Sequence, residues 1–99
     1  METEIIVVSE YCQKSHIDPS FIFLLEDGGL IDVQVVDGQP AFFVSQLREV
    51  EMYTRMYYEL SINVEGIEAI HHLLARVRNL QDEIRSLQRE LRAFRSAVE

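Results

Sequence analysis

Apolar and polar positions change period several times along this chain, and each change marks an element. Ile5 to Val8 is an unbroken apolar run, the pattern of a short buried strand. Ser9 can cap a short helix over Glu10 to Ser15, with Cys12 inside it. Asp18-Pro19 starts the next helix, because Asp is a good N-cap and Pro suits the first helical position. That helix runs from Ser20 to Asp27, and Gly28-Gly29 stops it. Two short helices joined through Ser15-His16-Ile17 make a helix-turn-helix. Leu30 to Val36 and Gln39 to Val44 are paired strands, since Asp37-Gly38 is a two-residue hairpin turn. That loop sets Val35 opposite Pro40 and Val33 opposite Phe42. Ile31, Val33, Val35, Pro40, Phe42 and Val44 then share one face, with Asp32, Gln34 and Phe43 on the other. Pro40 marks the return strand as an edge. A hairpin in this place is a wing.

Ser45 can cap a third helix, about Gln46 to Leu60, with Leu47, Val50, Tyr53, Tyr57 and Leu60 at helical spacing. Glu51 and Arg55 suit an i,i+4 pair. Asn63 can cap a fourth helix from Val64. From residue 70 a heptad runs unbroken. Ile70, Val77, Ile84, Leu91 and Val98 take one core position, and Leu73, Leu80, Leu87 and Phe94 take the other. The first set is mostly β-branched and the second mostly Leu, which favours two-stranded packing. The helix is about 42 Å long, more than a small domain covers, so a dimer is expected rather than a fold-back. Residues 1–68 form the head and 69–99 the coiled-coil helix. Flanking charge leaves the orientation open.

Phe23 does not fit its helix. With Phe21 at 0° on a wheel of about 100° per residue, Leu25, Ile22 and Leu24 join it in one apolar arc. Phe23 falls at about 200°, between Glu26 and Asp27, on the side of Ser20 and Pro19. An exposed aromatic among acids suits a protein-contact hot spot. The alternative is that Phe23 packs under the long helix or a dimer mate.

Charge sharpens that picture. The net charge is −8, with 9 basic and 17 acidic side chains. Residues 1–47 hold one base, Lys14, against eight acids, whereas residues 76–99 hold six arginines against four. The first half repels phosphate and favours a basic partner surface. Those acids could equally serve only to solubilise a small domain. Apolar residues make up 47% of the chain, a globular composition. No apolar run approaches a membrane span and no signal peptide precedes the first strand, so a cytoplasmic protein is expected. The one cysteine forms no internal disulfide and suits a small core position.

Catalytic and metal-binding patterns are missing. His71 and His72 are adjacent, so they diverge on a helix as solvent-facing flank residues. His16 sits in a turn where positive φ is unusual but tolerable for His. No phosphate loop, nucleophile elbow or framed carboxylate pair occurs. The expectation is a non-enzymatic chain without cofactor or metal.

The order helix-turn-helix, wing, helix pair and long helix resembles the MerR family of transcription regulators. His16 to Ile31 is similar, without gaps, to that family's turn, capped recognition helix and Gly-Leu exit. Leu60-Ser61-Ile62-Asn63-Val64-Glu65-Gly66-Ile67 resembles its Leu-Gly-Phe-Ser-Leu-x-x-Ile link. The resemblance implies a mostly α fold: a MerR-like winged helix-turn-helix with a small β-hairpin wing and a long C-terminal coiled-coil helix. The departures remove DNA-facing charge. The family normally has Arg where Phe23 stands, often has bases at Ser20 and Asp27, and has a basic wing. Its turn Gly is His16 here. One branch accommodates this, the short chaperone modulators of the CbpM type, which bind and inhibit the J domain of a DnaJ-like co-chaperone. The resemblance to that branch implies a homodimer that binds a J domain. Phe23, Glu26 and Asp27 would be the contact face, and Asp32 and Asp37 on the wing would add steering. Ile70, Leu73, Val77, Leu80, Ile84, Leu87, Leu91 and Phe94 would form the dimer seam. The alternative is a MerR-like DNA-binding regulator, with Arg48, Arg55 and the arginines of 76–95 as its phosphate surface. A third reading is a dimerisation module without a dedicated client.

Overall fold

The computed structural model describes residues 4–98, so Glu2 and Glu99 of the charge count lie outside it. The order is β1 (Ile5–Val7), α1 (Val8–Ser15), α2 (Pro19–Asp27), β2 (Gln34–Val36), β3 (Gln39–Phe43), a 3-10 turn (Val44–Gln46), α3 (Leu47–Tyr58) and α4 (Val64–Val98). The chain divides into two compact units, one ending at Glu68 and one starting at Ala69. The mostly helical, winged helix-turn-helix architecture expected from the pattern is the one observed.

In the first unit β1 leads straight into α1. Val7 opposes Ala41 of β3 and Val8 is already buried, so the helix starts one residue ahead of Ser9. Ser9 lies inside α1 and caps nothing; Val7 holds the N-cap position without a side-chain bond. The helix ends at His16, which takes a left-handed φ of 57°, and the Ile17 amide donates to the Cys12 carbonyl at 3.0 Å. Asp18 then caps α2 as its sequence requires. Its Oδ1 accepts from the Ser20 amide at 2.9 Å, with Pro19 in the first turn. At the far end the Gly29 amide donates to Glu26 and the Leu30 amide to Leu25, at 2.9 and 3.0 Å. With Gly29 at φ 73° this is a Schellman close, and buried Leu30 and Leu25 are its apolar contact.

The sheet has three strands in the order β1-β3-β2, both pairings antiparallel. Val35 opposes Pro40 across the Asp37-Gly38 turn, whose φ values of 51° and 78° fit type I′. Three features differ from the sequence pattern. β3 is central rather than an edge. It tolerates Pro40 because Pro40 opposes Val35 in a non-hydrogen-bonded position and lies past the last β1 pair, Val7 with Ala41. β1 is an edge, and Ile5 is exposed rather than buried. Finally, Leu30 to Val33 does not join β2. The Gln46 side chain takes both backbone groups of Asp32, accepting from its amide at 2.8 Å and donating to its carbonyl at 3.0 Å, in place of a strand neighbour. The shared apolar face grades from core to solvent: Ile31 and Phe42 are buried, whereas Val35 at the tip is 74% exposed.

The core joins Val8 and Cys12 of α1, Phe21, Ile22 and Leu25 of α2, Phe42 of β3, Val50 and Tyr53 of α3, and Ile67 of α4. Phe21 meets the rings of Tyr57 and Tyr58 at 4.6 and 5.4 Å. Ser45 falls in the 3-10 turn, so α3 begins at Leu47 without a side-chain cap, and Leu60 lies beyond its end at 65% exposure. Among the described residues no ion pair joins Glu51 to Arg55. Ser61 takes φ 58° between α3 and α4. Asn63 caps α4 as expected, its Oδ1 accepting from the Gly66 amide at 2.8 Å.

The second unit, taken by itself, is the rest of α4. Leu73, Val77, Leu80, Ile84, Leu87, Leu91 and Phe94 are exposed along it. Ile70 is half-buried. Arg85 and Asp82 form an i,i+3 ion pair at 2.9 Å on its surface.

Candidate functional site

The outward side of α2 and the wing tip are what a winged helix-turn-helix presents to a partner. The sequence decides what is found there. α2 buries Phe21, Ile22 and Leu25. A helix that turns those three inward must turn Phe23, Glu26 and Asp27 outward. All three are exposed, and Phe23 is 37% accessible despite its size. Asp32 and Asp37 are exposed as well, the first beside the Gln46 clasp and the second at the hairpin turn. Neither α2 nor the wing carries a base: no Lys or Arg occurs between Lys14 and Arg48. The Ser20 amide, at the helix start where an anion would be held, already serves Asp18.

Leu24 departs from its place in the apolar arc. It is 45% exposed, more than Phe23. It lines a shallow groove of about 370 Å³ together with Asp27 and Gly28 at the end of α2, Tyr57 of α3, and Glu65 and Glu68 at the start of α4. Glu68 closes over Gly28, so that a Cβ there would stand 2.6 Å from its Oε1. The residue pattern alone does not show this groove. The available signal was Leu24 at the edge of its arc, next to Asp27 on the wheel. The link residues Asn63 to Glu68 come alongside only through the fold.

Among the described residues two titratable groups are shifted. The Asp18 carboxyl is held below the usual carboxylate range, chiefly by the hydrogen bond from the Ser20 amide. Burial pushes the Cys12 thiol up, and the Asp18 charge adds to the rise. His71 and His72 do not diverge: their rings meet edge-on at 5.6 Å. Among the described residues no group of three or more His, Cys, Asp or Glu is placed to hold a metal ion. Among the same residues no helix is long and apolar enough to cross a membrane.

No curated protein and no solved structure matches the chain. The family model described as MerR HTH family regulatory protein matches residues 6–89, from β1 through most of α4. With both the helix-turn-helix and the wing inside the matched segment, the chain belongs to the MerR family of helix-turn-helix regulatory proteins.

Proposed function

We propose that this chain is a non-enzymatic regulator that acts on a protein rather than on DNA, binding the J domain of a DnaJ-like co-chaperone and inhibiting its co-chaperone activity. One observation carries the reading. The surface with which this fold would read DNA holds no cation, and it offers an exposed Phe23 between carboxylates instead. Affinity for DNA comes largely from basic side chains that displace counterions from phosphates. An acidic face around an aromatic suits a basic protein surface, which it attracts from a distance and anchors at the ring. The choice of a J domain rests on the likeness to the short chaperone modulators. Phe23, Glu26 and Asp27 form the contact, and Asp32 and Asp37 steer. A second copy covers the apolar seam of α4, so the working form is a homodimer in the cytoplasm.

The test is a pull-down from native lysate at low and moderate salt, followed by calorimetry with the purified J domain. The expected result is a DnaJ-like co-chaperone that is lost as salt rises, and a J-domain affinity weakened about a hundredfold by Phe23→Ala with Glu26→Lys. Recovery of nuclease-sensitive DNA without a co-chaperone would return the chain to the DNA-binding members of its family. The phosphate surface would then have to come from Arg48, Arg55 and the arginines of α4. An unchanged affinity for the double variant would move the contact to another face.

A further inference from the structure

The groove beside α2 is not explained by the fold. Its walls are apolar and aromatic, from Leu24 and Tyr57, and three carboxylates, Asp27, Glu65 and Glu68, line it with no base among them. At about 370 Å³ it is far larger than a hydrated ion needs. Its mixed walls suit a side chain with an apolar stem and a cationic head. Lysine and arginine bury their methylenes against apolar surface and keep the charge at a polar end. A tyrosine ring adds a face on which a guanidinium can lie. Glu68 bends over Gly28, its Oε1 standing 2.6 Å from where a Cβ would lie, which brings that carboxylate to the α2 side of the groove.

The groove also adjoins the proposed contact face. On the α2 wheel Asp27 stands between Phe23 and Leu24, so the outward aromatic and the groove share that carboxylate. We propose that this groove seats an arginine or lysine side chain projecting from an amphipathic partner helix whose apolar neighbour packs on Phe23. The proposal rests on the reading that α2 faces a basic protein partner, and it fixes where on that partner the charge is read. Complementary charge selects this occupant: a nucleic acid is repelled by the three carboxylates, and a wholly apolar helix leaves them unpaired.

The test uses the whole isotope-labelled protein and two synthetic 18-residue helical peptides. One carries arginines at i,i+4 spacing, and the other has neutral citrulline in their place. The arginine peptide is expected to shift the amides of Leu24, Gly28 and Glu65 saturably, and the citrulline peptide to leave them in place. Glu65→Gln with Glu68→Gln should weaken the arginine peptide about tenfold, the usual scale for two surface charge pairs. Glu10→Gln with Glu49→Gln removes the same charge from other helices and should change affinity less than twofold. Equal losses in both variants, equal binding of the citrulline peptide, shifts elsewhere or no binding would each overturn the groove.

The same variants are then titrated with the J domain. A J domain that ignores wild-type protein while the arginine peptide seats in the groove overturns the J-domain reading alone. A J domain bound equally by wild type and Glu65→Gln with Glu68→Gln overturns the groove alone.

Discussion

Among the described residues His16, Asp37 and Ser61 hold a left-handed backbone that suits glycine, and replacing Ser61 should make the protein more stable. Ser61, between α3 and α4, has φ 58°. A left-handed residue with a Cβ costs roughly 1–2 kcal/mol relative to its right-handed form. Glycine avoids that clash but loses about 0.5–1 kcal/mol more chain entropy on folding. The Ser61 side chain is exposed and makes no hydrogen bond among the described residues, so removing it forfeits little. The net expectation for Ser61→Gly is a gain of about 0.5–1 kcal/mol, or a Tm about 2–6 °C higher for a domain of this size.

Tyrosine emission is the right probe. The chain has four tyrosines and no tryptophan, and Tyr11, Tyr53, Tyr57 and Tyr58 all lie in the first unit. The signal therefore reports the first unit, free of the rest of α4. Ser61→Ala is the control, because alanine keeps the Cβ. If Ser61→Ala and Ser61→Gly stabilise equally, relief of the left-handed backbone is not the cause and the reasoning fails. His16, at φ 57°, should gain less from the same change, since His tolerates this region better than Ser.

Cys12 is 3% exposed with a raised thiol pKa, so it should resist a thiol reagent at pH 8 in native protein and react at once in denaturant. Rapid labelling of the folded protein would place the thiol at the surface. The Asp18 pKa is lower in the folded state than in the unfolded state. Its contribution to stability is therefore present above the unfolded value and lost as pH falls through the folded one. Asp18→Asn keeps the cap bond but should flatten the acid limb of a stability-against-pH curve below about pH 4. An unaltered limb would refute the assignment. In the second unit, Ile84→Lys with Leu87→Lys puts like charges on two adjacent seam positions and should convert the proposed dimer to monomer by sedimentation, leaving tyrosine emission unchanged.

Much of this architecture is local and so legible in the residues. The Asp18 and Asn63 caps, the Gly29 stop and the Asp37-Gly38 turn each depend on a few neighbouring atoms, and each forms as its sequence demands. The errors come where a distant residue overrules a local preference. Ser9 and Ser45 are good caps by type, but burial of Val8 and the 3-10 turn at Val44–Gln46 place the helix starts elsewhere. Leu30 to Val33 has a strand composition, but an amide 14 residues away holds its backbone. Pro40 reads as an edge because the pattern does not show that β1 returns to the other side of β3. At the candidate site, the exposure of Phe23, Glu26 and Asp27 follows from helical period alone. The groove does not, since its walls come from α2, α3 and α4, which only the packed core brings together.

The Gln46 clasp bears on how far the wing can reach. By holding both backbone groups of Asp32, it anchors the ascending limb of the hairpin, while β1 and the burial of Ala41 and Phe42 anchor the descending limb. Everything beyond the Gln34 and Ala41 pair is free of the core. Residues could be added in opposed pairs between that rung and the turn, lengthening the wing by about 3.4 Å per pair without disturbing a helix. The hairpin tip is thus an adjustable arm on a fixed mount, and its length could be altered to suit a different client while the domain that carries it stays the same.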